Sequence, residues 1–224
     1  MSWATPPSKS SGDTLTAAEV NIISDDLLET GVAKVTTKGD LTPATGLNAL
    51  TRIGVGANGT SLRADSDNAG GMKWQTPFTV SLQRSANKSI SHDTNTEIDF
   101  TATNGPGGAT SELYDYSGLH DTASNQTRIT VTRKGLYLFG GYVAFAASAA
   151  GGRRNVAVAV NGTSVSINGQ TALPTALGVD LSVTTMLQLA ANDYVELRVY
   201  QDSGGALNVT VARLWLTYLH EVGL

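Results

Sequence analysis

The most regular apolar pattern of the chain runs from Gly135 to Ala147 and predicts a long central β-strand. Side chains alternate between the two faces of a strand, so one face carries Tyr137, Phe139, Val143 and Phe145. The opposite face carries a second apolar row, made of Leu136, Leu138, Tyr142 and Ala144. A strand in an isolated two-sheet sandwich has one buried face and one solvated face. We therefore expect the second face to be covered by another copy of the chain or, alternatively, by the chain's own loops.

Alternating apolar and polar positions recur at short intervals from Phe78 onward, with Asn-Gly and Gly-Gly turn signals between them. The predicted strands besides the central one cover residues 78–84, 96–101, 127–133, 154–161, 165–168, 181–189, 194–200 and 206–219. So many short strands predict a mainly β fold, an antiparallel jelly-roll β-sandwich over residues 78–224. In the last strand, the alternation places Leu214, Leu216 and Tyr218 on one face. The other face then carries Leu207, Val209, Val211, Trp215 and Leu219.

The N-terminal third has a different character. Thr16 and Glu19 have the spacing of a helix capping box, and an apolar stripe formed by Leu15, Val20, Ile23 and Leu27 predicts a short helix that docks on a partner or on its own domain. Residues 36–77 contain brief apolar runs between Gly, Asn and Asp, which predicts a Gly-rich extended or intertwining linker. The predicted organisation is therefore an attachment segment at 1–35, a linker at 36–77 and a head domain at 78–224.

One motif in the linker resembles a nucleotide-binding fingerprint. The segment from Gly54 through Gly56 to Gly59 has the spacing G-x-G-x-x-G. That fingerprint binds a pyrophosphate only when it joins a strand to a helix. Because no helical stripe follows Gly59, we interpret the motif as turns and expect no cofactor.

Composition and charge exclude several classes of function. The net charge of −4 gives no basic field for a nucleic-acid partner. No run approaches the roughly 20 apolar residues that cross a bilayer, and the N-terminus lacks the pattern of a signal peptide. We therefore expect synthesis in a cytoplasm and no insertion into a membrane. Cysteine is absent, which leaves neither disulfides nor thiolate chemistry.

Candidate catalytic chemistry is sparse. His92 precedes Asp93 and His120 precedes Asp121, and a histidine oriented by a carboxylate is half of a catalytic triad. There is no Gly-x-Ser-x-Gly nucleophile motif, and the three histidines lack metal-ligand spacing. We expect neither an enzyme nor a metal site.

Several segments of the C-terminal part resemble the trimeric jelly-roll heads of the tumour necrosis factor (TNF) and complement type. They are Phe78-Thr-Val-Ser-Leu, Ile98-Asp-Phe-Thr, Arg133-Lys-Gly-Leu-Tyr-Leu-Phe, Val158-Ala-Val-Asn-Gly and Leu189-Ala-Ala-Asn-Asp-Tyr-Val-Glu-Leu. The resemblance covers residues 78 to 219 and implies a homotrimer, in which the central and last strands supply both the core and the threefold interface. The residues so implied are Tyr137, Phe139, Tyr142, Phe145, Leu214, Trp215, Leu216 and Tyr218.

The N-terminal third is similar to lead-in segments of tailed-bacteriophage structural proteins. The similarity lies in Trp3-Ala-Thr-Pro-Pro, in residues 12–21, and in the run from Lys38-Gly-Asp-Leu to Lys73-Trp74. It implies a virion protein whose N-terminal segment, with Leu15, Val20, Ile23 and Leu27, attaches to major capsid or tail proteins. A capsid decoration or head-fibre protein is the favoured interpretation. The alternatives are a tail receptor-binding protein, a secreted TNF-like or complement-like ligand, and a virion-bound glycan hydrolase.

Four residues in predicted loops or at their borders are candidates for contact with a host-surface glycan or protein. Tyr114 and Tyr116 lie in the segment between two strands, and Arg153 and Arg154 follow the central strand. Aromatic and arginine side chains are common in contact surfaces. The alternative is that these four side chains only cover the sandwich.

Overall fold

Residues 34–47, 49–172 and 176–221 are described by the computed structural model, together with residues 12, 14, 16–18, 20 and 21. The chain divides into two units, Met1–Pro77 and Phe78–Leu224. No helix among the described residues is long and apolar enough to span a bilayer.

The described part of the first unit contains two small antiparallel hairpins. Strand β1 (Ala44–Gly46) pairs with β2 (Ala49–Leu50), and β3 (Ser61–Ala64) pairs with β4 (Met72–Gln75). The G-x-G-x-x-G segment lies between the hairpins, and Asn58 and Gly59 form a turn. The indole of Trp74 covers Gly56 and donates a hydrogen bond to the carbonyl of Gly54 at 2.7 Å. The glycines of this motif therefore accommodate a tryptophan.

A single carboxylate organises residues 36–55. The Asp40 side chain is fully buried and accepts hydrogen bonds from the amides of Thr36, Thr37 and Val55 and from the guanidinium of Arg52, at 2.7 to 3.2 Å. The Arg52 guanidinium and the three amides hold the pKa of Asp40 well below its ordinary value. The ionised carboxylate thus joins segments of the unit that bury little apolar surface.

The predicted N-terminal helix falls mostly outside the described residues, which exclude Leu15, Ile23 and Leu27. Val20 is described, and its amide donates to the carbonyl of Thr16 at 3.0 Å, which is the spacing of an α-helical hydrogen bond.

The second unit consists of two antiparallel sheets. Its strands are β5 (Thr79–Arg84), β6 (Lys88–Ile90), β7 (Thr96–Glu97), β8 (Glu112–Asp115), β9 (Arg128–Thr130), β10 (Gly135–Ser148), β11 (Gly152–Val160), β12 (Thr163–Ala172), β13 (Leu177–Leu189), β14 (Tyr194–Gln201) and β15 (Leu207–His220). The front sheet has the strand order β13-β10-β15-β5-β8, and β6 also pairs with β15. The back sheet has the order β12-β11-β14-β7, and β9 also pairs with β14.

The pairing of these strands is that of a jelly roll. Strand β5 pairs with β15, β9 with β14, β10 with β13, and β11 with β12. Each pair encloses the next one along the chain, as in a long hairpin folded over on itself into two sheets. The predicted mainly β, antiparallel jelly-roll fold is therefore confirmed.

The core lies between the two sheets, and β10 supplies its centre. Tyr137, Phe139, Val143 and Phe145 are buried, as the alternation predicts. Gly141 follows the same alternation, and a Cβ there would lie 2.2 Å from Cδ1 of Leu197 in the back sheet. Glycine at this position lets Leu197 approach the backbone of β10.

Two strands are longer than predicted and one is shorter. The segment predicted at 165–168 is β12, which covers Thr163–Ala172, and the segment predicted at 181–189 is β13, which begins at Leu177. The segment predicted at 96–101 contains only the short strand β7, although Ile98 and Phe100 are both buried. Strands β6 and β8 were not predicted.

The predicted faces of the last strand were wrong in its first half. Ala144 pairs with Val211, whereas the next residue of β10, Phe145, pairs with Val209, so β15 carries an extra residue at this point. A β-bulge of this kind reverses the alternation, because two residues oppose one. Leu207 and Val209 therefore lie on the same buried face as Leu214, Leu216 and Tyr218.

Candidate functional site

The outer face of the front sheet, opposite the core, is the candidate site. It is formed by Leu136, Leu138 and Tyr142 of β10, Trp215 and Leu219 of β15, and Met186 of β13. Met186 is 52% exposed, and Leu138 and Leu219 are each 36% exposed. Leu136, Tyr142 and Trp215 are half-buried. We call these six residues the apolar face.

The strand register brings these side chains into adjacent rows. Leu138 of β10 lies opposite Met186 of β13, and one row further along Gly140 lies opposite Trp215 of β15. A Cβ at Gly140 would be 2.5 Å from Cζ2 of Trp215, so the indole lies across the backbone of β10. Glycine at this position makes the middle of the apolar face flat.

Polar groups lie within the apolar face as well as beside it: Gln188 lies opposite Leu136, Thr217 opposite Leu138 and Thr184 opposite Gly140. The hydroxyl of Tyr142 donates a hydrogen bond to Oδ2 of Asp180 at 3.0 Å. In the strand register, Arg213 of β15 lies opposite Tyr142 of β10. Burial and the neighbouring Asp180 carboxylate raise the pKa of Tyr142. The phenol therefore remains a neutral hydrogen-bond donor at the margin of the face.

The eight residues predicted for the trimer interface or core divide between two locations. Tyr142 and Trp215 belong to the apolar face. The other six are buried between the sheets, namely Tyr137, Phe139, Phe145, Leu214, Leu216 and Tyr218. Met186 was not among the eight predicted residues. Its strand was predicted from the apolar residues that point into the core, and Met186 lies on the opposite face. Leu136 and Leu138 were not among the eight, although the alternation had placed both on the face of the central strand that another copy was expected to cover. Leu219 was not among the eight either.

The outer face of the back sheet has the opposite character. Glu196 and Arg198 of β14 project outward there, and Glu196 forms ion pairs with Arg128 at 3.2 Å and with Arg198 at 3.3 Å. Ala157 and Ala159 of β11 lie opposite these two residues and are 7% and 0% exposed. Paired charged side chains therefore cover the small residues of this face, whereas no comparable cover lies over the apolar face among the described residues.

Two of the four predicted surface-contact residues form an exposed aromatic pair. The rings of Tyr114 and Tyr116 stack with centroids 5.7 Å apart, and the two residues are 41% and 64% exposed. Tyr114 lies opposite Ser81 of β5, at the end of the front sheet. The pair has the accessible rings that a surface contact would need.

The two predicted arginines differ, and the prediction of an exposed Arg154 was wrong. Consecutive residues of β11 point to opposite sides, so Arg153 is exposed and Arg154 is 1% exposed. The Arg154 guanidinium donates to the carbonyls of Arg153 at 3.0 Å and Ala150 at 3.2 Å. Burial lowers its pKa. Arg154 is thus part of the interior.

The two His-Asp pairs of the sequence do not form acid-base pairs of side chains. Nδ1 of His92 accepts a hydrogen bond from the amide of Gly204 at 3.0 Å. The ring nitrogens of His120 lie 2.8 Å from the carbonyl oxygen of Arg128 and 3.0 Å from that of Phe100. Within the described ranges, no group of three or more His, Asp or Glu side chains is placed to bind a metal ion.

No family model and no curated protein sequence matches the chain. Solved structures with a similar fold include the globular domain of zebrafish complement 1qA protein, with a TM-score of 0.44 and 14% identity over 66% of this chain and 100% of that one. The Eiger TNF of S. frugiperda has a TM-score of 0.45 and 16% identity, over 66% of this chain and 96% of that one. Murine APRIL has a TM-score of 0.43 and 12% identity, over 63% and 99%. These are similarities of fold alone.

Proposed function

We propose that the chain is a homotrimeric structural appendage of a bacteriophage virion, a capsid decoration or head-fibre protein. Its second unit would be a jelly-roll knob that trimerises, and its N-terminal third would attach the knob to the particle. The observation that supports this proposal is the apolar face of the front sheet. The proposed role is binding and display rather than catalysis.

Self-association follows from the contrast between the two outer faces. A sheet face exposed to water is normally polar, as the ion-paired back sheet illustrates. The apolar face instead exposes Leu138, Met186 and Leu219 around a flat indole. Several exposed apolar side chains on neighbouring strands of one face are typical of protein interfaces. The resemblance of residues 78–219 to trimeric heads favours three copies around this face.

Attachment is proposed for the N-terminal third, on the basis of its resemblance to phage lead-in segments. The described strands of this unit have two to four residues each, and Leu47, Val55 and Leu62 are exposed. A unit of this size without a large core commonly depends on a partner for stability. A capsid or tail protein is the partner we propose.

Host contact is proposed for two exposed places on the knob, the Tyr114–Tyr116 pair at the end of the front sheet and Arg153 of β11 in the back sheet. In a trimer, each contact would occur three times, and a second contact to the same surface becomes effectively intramolecular. Individually weak binding to a glycan or protein would then be sufficient for adhesion.

The self-association part is tested by the native mass of the full chain and of Leu138→Asp. A carboxylate at position 138 would be enclosed between copies, so we expect a mass of three copies for the wild type and of one copy for the variant. Leu113→Asp is the matched control, because Leu113 is 48% exposed and lies outside the apolar face. The face is not the interface if Leu138→Asp keeps the wild-type mass.

The virion part is tested on purified particles of the encoding phage. We expect quantitative mass spectrometry to find the chain in particles and to find it lost when residues 1–77 are deleted. A chain that stays in the supernatant of gradient-purified particles would contradict attachment, whatever the mass of the knob.

A further inference from the structure

Two charged side chains lie on the outer face of the front sheet, Asp180 of β13 and Arg213 of β15. Both residues are exposed. The residues on either side of each of them in the same strand are buried in the core, namely Val179, Leu181, Ala212 and Leu214. Because successive side chains of a strand point to opposite sides, both charges are directed away from the core.

The other Asp, Glu, Lys and Arg residues of the front-sheet strands do not face outward. Directly opposed residues of an antiparallel pair share one face of the sheet. By this criterion the core side holds four charged residues, which lie opposite the buried Ala212, Val209, Leu82 and Val80, namely Arg84, Lys88, Glu112 and Asp115. Arg84 and Lys88 also form ion pairs with Asp99. The outer face of these strands thus carries one positive and one negative charge.

The two charges flank Tyr142, a residue of the apolar face. The hydroxyl of Tyr142 donates a hydrogen bond to Oδ2 of Asp180 at 3.0 Å, whereas Oδ1 accepts none from a described residue. Arg213 lies opposite Tyr142 in the strand register, and its guanidinium forms no hydrogen bond or ion pair with the part of the chain that the structure describes. Within the described residues of one copy, neither charge therefore has a partner of opposite sign.

We propose that, in the trimer formed through the apolar face, Arg213 of each copy forms an ion pair with Asp180 of the next copy. The inference rests on the proposed self-association and adds what determines its register. An interface over the apolar face would remove water from its border, and a charge left there without a partner would oppose association. One guanidinium and one carboxylate instead make the face complementary to itself. A face that binds a strongly charged partner would carry an excess of the opposite sign.

The positions of the two charges suit a closed ring. They lie on β13 and β15, which are separated by β10. In a ring, each copy contacts the next through two different surfaces, so the charge on one strand can meet the opposite charge on the other strand of the neighbour. Every Arg213 of a closed trimer then has one Asp180. The hydrogen bond from Tyr142 holds that carboxylate in place before association, which lowers the cost of ordering it.

The ion pair is tested by charge reversal in the full chain, with native mass measured over a range of protein concentrations. Arg213→Asp and Asp180→Arg each replace attraction by repulsion at every contact of the trimer, so we expect the concentration of half-dissociation to rise by about tenfold or more. The double variant, which carries both reversals, restores opposite charges and should recover most of this loss. Circular dichroism should show wild-type sheet content in all three variants, because both residues are exposed.

Lys38→Asp and Asp67→Arg are the matched controls, since they make the same changes of charge at exposed turn positions of the first unit. They should have the wild-type mass at every concentration. The inference is overturned if the single reversals also keep the wild-type mass, or if the double variant dissociates as readily as either single one. It is likewise overturned if the reversals change the unfolding free energy of the separated chains and not their association, because the ion pair would then form within one copy.

The proximity of the two positions is tested with one cysteine per chain, since the protein contains none of its own. Co-expressed Asp180→Cys and Arg213→Cys chains should be joined by a bismaleimide into covalent dimers on a denaturing gel, and more so than either variant alone. Equal cross-linking of the mixed and the separate preparations would contradict a contact between position 180 of one copy and position 213 of the next.

The failure of this inference is distinguishable from the failure of the proposed self-association. If Leu138→Asp dissociates the wild-type trimer and the charge reversals leave it intact, the apolar face remains the interface and the ion pair is excluded. If the wild-type chain has the mass of one copy at every concentration, both are refuted.

Discussion

Substitution of the two adjacent glycines of β10 tests the packing on both of its faces. A Cβ at Gly141 would lie 2.2 Å from Cδ1 of the fully buried Leu197, and a side-chain end can move only where space exists. Overpacking of a core by one methyl group costs about 1–3 kcal/mol, and we expect Gly141→Ala to fall in this range. A Cβ at Gly140 would lie 2.4 Å from the carbonyl oxygen of Val183 and 2.5 Å from the indole of Trp215.

Because a backbone carbonyl in the sheet cannot rotate away, Gly140→Ala has to separate β10 from β13 or lift the indole. We therefore expect its cost to reach or exceed about 3 kcal/mol, the upper end for overpacking. Gly205→Ala is the control, since a Cβ at this position would have no other atom within 4 Å and its backbone needs no positive φ. Its effect should stay within about 0.5 kcal/mol.

The assay is urea unfolding of the full chain and its variants, followed by far-ultraviolet circular dichroism at one protein concentration. A fixed concentration is necessary because association contributes to apparent stability. Thermal unfolding gives a second measure, with a shift of about 2–4 °C for each kcal/mol in a domain of this size. If Gly140→Ala is as stable as Gly205→Ala, Trp215 does not lie across β10 and the flat apolar face is refuted.

Three further predictions concern buried polar groups. His120→Ala removes a ring whose two nitrogens lie next to backbone carbonyl oxygens and should lower the unfolding free energy by about 1–3 kcal/mol, the cost of one buried carbonyl left unpaired, measured by urea unfolding. Asp40→Asn should increase amide hydrogen exchange of residues 36–55 at neutral pH, as should Arg52→Met to a smaller extent. In the wild type, the lowered pKa of Asp40 means that this protection is complete above the unfolded-state pKa of about 4 and is lost as the pH falls further. Equal protection factors at pH 7 and pH 2, each corrected for the intrinsic exchange rate at that pH, would contradict it. Arg154→Met should change stability by less than Arg154→Ala, since an apolar side chain of similar length fills the same interior space, whereas Arg153→Ala on the surface should have little effect.

The sequence was sufficient to predict the fold class because the core strands alternate clearly. In β10, residues 137, 139, 143 and 145 are apolar and buried, as a period of two requires. The length of β12 was not predictable in this way, since its residues are exposed on both sides and it forms through pairing with β11. The bulge in β15 could not be predicted from the sequence either. Near Val209 and Val211, apolar residues occupy both odd-numbered and even-numbered positions, so the alternation does not show where it reverses.

The candidate site was predicted only in part, for a related reason. Trp215 and Tyr142 were found because large aromatic residues stood out in strands already recognised as apolar. Met186 was missed, since it lies among polar residues of β13 and joins the face only through its register with Leu138. Arg154 was misplaced because an arginine pair looks like surface charge, and only the direction of β11 determines which of the two points inward.

Gly140 connects the architecture of the knob with the proposed self-association. Glycine in the interior of a strand is unfavourable by about 0.5–1 kcal/mol relative to alanine. At position 141 the core explains it, since Leu197 occupies the space of a side chain. At position 140 the space is occupied by the carbonyl oxygen of Val183 in β13 and, from outside, by an indole that is only half-buried in a single copy. The close approach of β13 therefore requires glycine within one copy. The position of the indole is a separate matter: a tryptophan laid flat on an outer face gains little if water remains above it, because half of its apolar surface stays hydrated. It gains more when a second surface covers the ring, which is why we attribute the flat packing of Trp215 over Gly140 to association through the apolar face.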